Sequence, residues 1–268
     1  NVFGDWFCVF VLDLGVFGAG LATATGAVIS LAVMCSHFFS RKCTLHLVPV
    51  QKLFKKLGEI AVTGFSSFFV DVAMGILTVL FNRQIMKYLD SDALAVYATV
   101  INISTFVQCC AYSVGQAAQP ILSTNYGANN AARIRQALHL ALGTSMVFAA
   151  FWTGLSELFP QLYIHIFMRP SAEILAIAPA IIRRYSVSFV LLPVNIFSTY
   201  YFQSILHPKD SFIVSIARGL LVSGLLIFAL PALFAPEAIW WAMPLTELVT
   251  SVYAAYAMRK SLTGLCTN

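Results

Sequence analysis

The chain has 268 residues, of which 59% are apolar and only 10% charged, with a formal net charge of +5 and a mean hydropathy of +0.83. Soluble domains are about a quarter charged. This composition therefore excludes a water-covered globule and makes lipid the solvent for much of the surface. The positive excess sits mostly between apolar runs, so it reads as membrane orientation and not as a nucleic-acid footprint.

A helix needs about 20 apolar residues to cross about 30 Å of hydrocarbon, and charge-free runs of that length recur along the chain. Residues 1–12 form an apolar stump interrupted by Asp5 alone, too short for a whole span. Residues 14–40 make the first full span. The segment 41–57 carries Arg41, Lys42, Lys52, Lys55 and Lys56 around Leu53, Phe54 and Leu57. It predicts either a basic helix lying on the anionic inner leaflet or an ordinary cytoplasmic loop. Residues 60–82 form a second span with Asp71 at its middle. The run 93–132 holds a third span and a polar tail from Gln116 to Asn130. Residues 136–156 and 185–206 are the fourth and fifth spans. Residues 211–234 carry Arg218 near their start, and residues 238–258 carry Glu247 at their middle. The expected fold is all-α, a polytopic bundle of seven full helices plus a partial one. Its expected organisation is 1–42, a basic cytoplasmic linker over 43–57, and a six-helix lobe over 58–268.

Alternating crossings divide the basic residues unevenly. With residue 40 cytoplasmic, that side receives Arg41, Lys42, Lys52, Lys55, Lys56, Arg133, Arg135, Lys209, Arg259 and Lys260. The other side receives Arg83, Lys87, Arg169, Arg183 and Arg184. The positive-inside rule then places the C-terminus in the cytoplasm. The helix pairs that begin at Ala19-x-x-x-Thr23 and Ala242-x-x-x-Thr246 are built alike, a faint echo of a two-lobe transporter. Asn1 follows neither an initiator Met nor a charged leader region, so the chain is expected to begin part-way through a longer one.

An ionised carboxylate at the bilayer centre costs roughly 2.5–3.5 kcal/mol on insertion scales. Asp71 and Glu247 are therefore either bonded to a neighbouring helix or serve as proton or cation acceptors in a central cavity. Asn1 and Asp5 are one helical turn apart and could share one cation. Gln116 and Gln119 flank Pro120, which either kinks a discontinuous helix or ends a simple one. Together with Asn195 they are the candidates for a substrate cavity. Pro193 and Pro244 are further kink candidates. The six cysteines, Cys8, Cys35, Cys43, Cys109, Cys110 and Cys266, have no metal-type spacing. No metalloprotease, nucleophile-elbow or phosphate-loop pattern occurs, and His37, His46, His139, His165 and His207 are scattered. Without a nucleotide site, any pumping must draw its energy from an ion gradient or a partner; neither an enzyme nor a cofactor is expected.

Three blocks of sequence, in order, carry a resemblance to the multidrug and toxic compound extrusion (MATE) family. Asn1-x-x-x-Asp5 followed by Asp13-Leu14-Gly15-Val16-Phe17-Gly18-Ala19-Gly20-Leu21-Ala22-Thr23 resembles that family's fifth and early sixth helices. Gly115-Gln116-Ala117-Ala118-Gln119-Pro120-Ile121 running into Asn125-Tyr126-Gly127-Ala128 resembles its eighth helix and following loop. Trp241-Ala242-x-Pro244-x-x-Glu247 resembles its twelfth. The resemblance implies twelve helices in two lobes, with this chain holding the end of the first lobe and all of the second. It implies export of drug-like organic cations in exchange for H+ or Na+ across the plasma membrane. It maps a coupling site onto Asn1, Asp5 and Thr23, whose first-helix Asp partner lies on the missing N-terminal helices. Without that partner the piece alone is expected not to transport. Asp71 falls on the matching seventh helix, a turn from the usual acid. The span 185–206 lacks the tenth-helix acid, and Glu247 is the substitute.

Two alternatives compete. A flippase for lipid-linked saccharides would want a strongly cationic cavity, which only Arg218, Arg183 and Arg184 could supply. A seven-helix receptor would show an extracellular N-terminal segment and an Asn-Pro-x-x-Tyr pattern near its last span, neither of which is present.

Overall fold

The computed structural model describes the backbone of residues 2–39 and 52–267, and among these it is helical with no strand. Two compact units emerge, Asn1–Lys56 and Leu57–Asn268. Most of the basic segment 41–57 lies outside the described residues; its described end forms the first turn of a long helix.

In the first unit, α1 (Val2–Trp6) continues into a π-helical turn, Phe7–Val11, and α2 (Gly15–Ser36) follows. The chain reverses through left-handed Asp13 and Gly15. Gly18 lies against the backbone of Cys8, where a Cβ would come within 2.7 Å of the Cys8 carbonyl oxygen. A bare glycine is what lets α2 approach the π-turn this closely. Of the described side chains in α2 only Gly18 and Ala22 are buried, so Val16, Phe17, Val28 and Met34 face outward.

The second unit runs α3 (Leu53–Tyr88), α4 (Ser91–Gly127), α5 (Ala131–Leu158), α6 (Pro160–Phe167), α7 (Ala172–Ser186), α8 (Leu192–Ser204), α9 (Pro208–Ile216), α10 (Val222–Leu233) and α11 (Ala242–Thr267). Helix starts follow local chemistry. Ala93, Arg133 and Ile174 donate their backbone N–H to the side chains of Asp90, Asn130 and Ser171, which satisfies donors that a helix end leaves free. Pro160 and Pro208 open α6 and α9, where a missing N–H costs nothing. Pro120 does not end α4, which continues to Gly127. At 37 residues α4 is about 55 Å long, well beyond the hydrocarbon thickness.

Residues 157–184, which separate the expected spans 136–156 and 185–206, fold as the end of α5, α6 and most of α7. Arg183 and Ser186 fasten α7 to the end of α5, donating to the backbone oxygen of Glu157 at 3.0 Å and its Oε1 at 2.9 Å. Five helical stretches among the described residues are long and apolar enough to cross a membrane: Gly15–Phe39, Ser91–Gly127, Ala131–Leu158, Ala172–Ser204 and Pro208–Leu233. α3 and α11 occupy the other two expected spans.

Two apolar clusters hold the second unit together. One stacks Phe81 on Tyr97 at 4.9 Å, with Tyr185 and Trp240 within 6.4 Å of Tyr97. The other joins Leu122, Ile134, Phe197, Tyr201, Phe202 and Val214. Between α4 and α8 the backbone itself makes contact, because a Cβ on Gly115 would overlap the Tyr200 ring.

Candidate functional site

Three helices of the second unit are discontinuous, and three charged or polar side chains from them meet. α7 passes through a 3-10 segment, Val187–Val190, before α8 restarts with Pro193 in its first turn. Asn195 follows within that turn. α9 and α10 are joined by a π-helical turn, Ala217–Leu221, which carries Arg218. α11 begins after a 3-10 segment, Pro236–Trp241, and presents Glu247 and Thr250 one turn apart. Local 3-10 and π windings of this kind mark functional or strained places in helices.

Glu247 is 0% exposed and Arg218 7%. The Arg218 Nε donates to Glu247 Oε1 at 2.6 Å, and the Asn195 Nδ2 donates to Oε2 at 2.7 Å. The same Asn195 amide lies 2.9 Å from both the Glu247 carbonyl oxygen and Thr250 Oγ1. A carboxylate only accepts, so it dictates that Asn195 turns its NH2 and not its oxygen toward Glu247. Burying two charges costs several kcal/mol each, offset here by close pairing and by the neutral donor on the second oxygen.

The satisfaction is incomplete. The Asn195 Oδ1 and the Arg218 Nη2 are buried without a hydrogen-bond partner. A cavity of about 30 Å³ is lined by Tyr112, Thr199, Ser215, Arg218 and Gly219. That is room for a water molecule, which needs roughly 10–15 Å³.

Of the other expected residues, Asp71 lies on α3 two positions before Ala73, and Ala73 would be 3.1 Å from a Cβ on Gly219. The Asp71 side chain and Asn1 fall outside the described residues. Asp5 is half-buried on α1 and Thr23 exposed on α2, where its hydroxyl donates to Ala19 O at 3.1 Å. Gly4 packs on Ala22, so Asp5 and Thr23 are each the residue next to that contact. Gln116 is exposed and Gln119 half-buried on α4, and neither is hydrogen-bonded to the Glu247 cluster. Asn195, also expected along a substrate cavity, is fully buried in this state with its amide on Glu247.

The residue that sequence reasoning undervalued is Arg218. Its signal was present: one cation and one acid, each alone in an apolar span, are the pair most in need of each other. A second polar concavity of about 410 Å³ lies among Tyr126, His207, Asp210, Tyr253, Tyr256 and Lys260. There Asp210 accepts from the Tyr253 hydroxyl at 2.9 Å and lies 3.2 Å from His207 Nδ1. Among the described residues no group of three or more His, Cys, Asp or Glu could hold a metal ion.

Long apolar helices broken around a buried charged centre are the architecture of a multi-pass membrane transporter. The MatE family model matches residues 67–228, and the chain belongs to that family of transporters, which are not enzymes. Multidrug export protein MepA of Staphylococcus saprophyticus is 23% identical over 268 residues, covering 98% of this chain and 58% of that protein. An outward-facing multidrug resistance MATE family transporter of the MOP superfamily superposes with a TM-score of 0.90 at 20% identity. It covers 100% of this chain and 61% of its own. A MOP superfamily transporter from Pyrococcus furiosus, described as having a binding pocket of reversed polarity, gives 0.89 at 18% identity, with 99% and 60% covered. The chain thus spans about three-fifths of the length of these relatives.

Proposed function

We propose that the whole protein is a cation-coupled antiporter that exports drug-like organic cations across the plasma membrane by alternating access. The observation that carries this is the buried Arg218–Glu247–Asn195 centre held between discontinuous helices. Charge buried at membrane depth is expensive and marks ion or substrate pathways, and local breaks give helices places to pivot. Coupling requires that ion and drug bind the inward- and outward-facing states with different affinities. The proposed coupling residues are Asn1, Asp5 and Thr23, with Asp71 and Glu247 in the second unit. Gln116, Gln119 and Asn195 are proposed to lie along the substrate route. The distribution of Lys and Arg supports a cytoplasmic C-terminus. A flippase reading gains nothing from Arg218, whose charge Glu247 already neutralises.

The test is dye efflux from proteoliposomes holding the full-length protein under an imposed H+ or Na+ gradient. Gradient-driven efflux that disappears in Asp5→Asn, with expression intact, is the expected result. Unchanged efflux in that variant removes Asp5 from coupling, and efflux indifferent to both gradients removes the antiport mechanism.

A further inference from the structure

We propose that Arg218 holds the seat of a small monovalent cation at Glu247, so that the guanidinium and a free ion, Na+ or H+, are mutually exclusive partners of that carboxylate. The inference deepens the cation-coupled reading and rests on it for its role in transport, but its geometry stands on the buried centre alone.

The donor set around Glu247 is made of hard oxygens. Besides the two carboxylate oxygens it includes the Glu247 backbone carbonyl and Thr250 Oγ1, both 2.9 Å from the Asn195 amide nitrogen. Oxygen ligands of this kind suit hard cations. In this state the Asn195 Nδ2 lies among Oε2, the carbonyl and Thr250 Oγ1, while the Arg218 Nε supplies the compensating charge at Oε1, 2.6 Å away.

The second observation is Asn195. Its NH2 faces the carboxylate, and its Oδ1 is buried with no partner. That orientation is required while a guanidinium supplies the charge. A half-turn about the terminal bond would carry Oδ1 toward the centre and complete an oxygen cage of Glu247, Thr250 and Asn195 around an ion. The orphan oxygen is thus the unused half of a two-state ligand.

The third observation is that Arg218 is incompletely held. Its Nη2 is also buried without a partner, and Arg218 lines a small cavity together with Tyr112, Thr199 and Ser215. A guanidinium with one donor unsatisfied is easier to displace than one with all of them engaged. Its backbone lies in the π-turn of 217–221, a winding that is frequent at functional sites. Among the described residues, the titratable groups that interact with the pair are the Tyr185 phenol of α7, with both members, and the Tyr112 phenol of α4, with Arg218. α3 presents Ala73 at Gly219.

The experiment uses purified full-length protein in detergent and follows thermal unfolding against added NaCl, with choline chloride as the ionic-strength control, at neutral and at mildly acidic pH. In Arg218→Met the seat is vacant, and Na+ or acid is expected to raise Tm by several degrees. Wild type, Arg218→Lys and the double variant Arg218→Met/Glu247→Gln are expected to show only the smaller rise that cation binding at Asp5 gives in every variant. Should Arg218→Met not accumulate, Arg218→Gln, neutral but able to donate to Oε1, carries the same expectation. A rise in the single variant no larger than in wild type overturns the proposal. A rise in the double variant as large as in the single one overturns it as well, because the ion then binds elsewhere. If efflux is gradient-driven while the single variant rises no more than wild type, this inference fails and the antiporter reading stands. If the variant responds but efflux ignores both gradients, the reverse holds.

Discussion

Asp5 and Glu247, one in each unit, are held in opposite ways. Glu247 is wholly enclosed, with one oxygen on a guanidinium, the other on an amide, and an aromatic core behind it. Asp5 sits half-exposed on a five-residue helix with no hydrogen bond to Thr23 among the described residues. The helix beside it, α2, buries two of its described side chains, whereas α4 in the second unit buries twelve. An acid enclosed with a resident partner contributes to holding its helices together in this state, whatever partner it takes in another. The contrast tells which of the two substitutions should disturb unfolding more.

The largest effect is expected at Glu247→Leu. Removing one member of a buried pair strands the other charge and costs about 3–5 kcal/mol, read as a fall in Tm or as failure to accumulate in the membrane. Pairing it with Arg218→Met should recover most of that loss; no recovery would mean the centre is not an ion pair in the native protein. Next is Gly115→Ala. Its methyl collides with Tyr200, and overpacking of this kind costs about 1–3 kcal/mol. Tyr200→Ala in the same background should relieve part of it, and additive losses would show that α4 and α8 do not touch there. The smallest is Asp5→Asn, expected to change unfolding by less than about 0.5 kcal/mol, as for surface positions without special contacts. A large loss there would erase the distinction between the two acids.

Much of this was legible in the sequence. Runs of charge-free residues located the membrane-crossing helices, since a backbone in lipid must satisfy its own hydrogen bonds. Glu247 stood out because it is the lone acid in its apolar run. The partner choice was hidden. Whether Arg218 reaches Glu247 depends on the rotation of α9 and α10 about their axis, and a single π-turn resets that rotation. Residues 157–184 fell between the expected spans because Glu173, Arg183 and Arg184 break their apolar run. Yet Pro160 and Ser171 start helices there, and Arg183 finds the end of α5. Asn195 was visible as an amide in an apolar span, but its role required knowing that the chain winds tightly just before it.

The distance along the chain between Arg218 and Glu247 also has a consequence for biosynthesis. Arg218 emerges from the ribosome 29 residues ahead of the carboxylate that neutralises it. An arginine at mid-membrane costs roughly 2.5–3.5 kcal/mol on insertion, so the span 208–233 must enter lipid either at that cost or together with α11. That span is the most apolar of the five, which offsets part of the penalty. In a glycosylation-mapping assay, a chain stopped after Leu233 should therefore integrate this span less completely than one extended through α11, and Arg218→Leu should abolish the difference. On that outcome the ion pair acts before the fold is complete, by favouring entry of the two helices into lipid together.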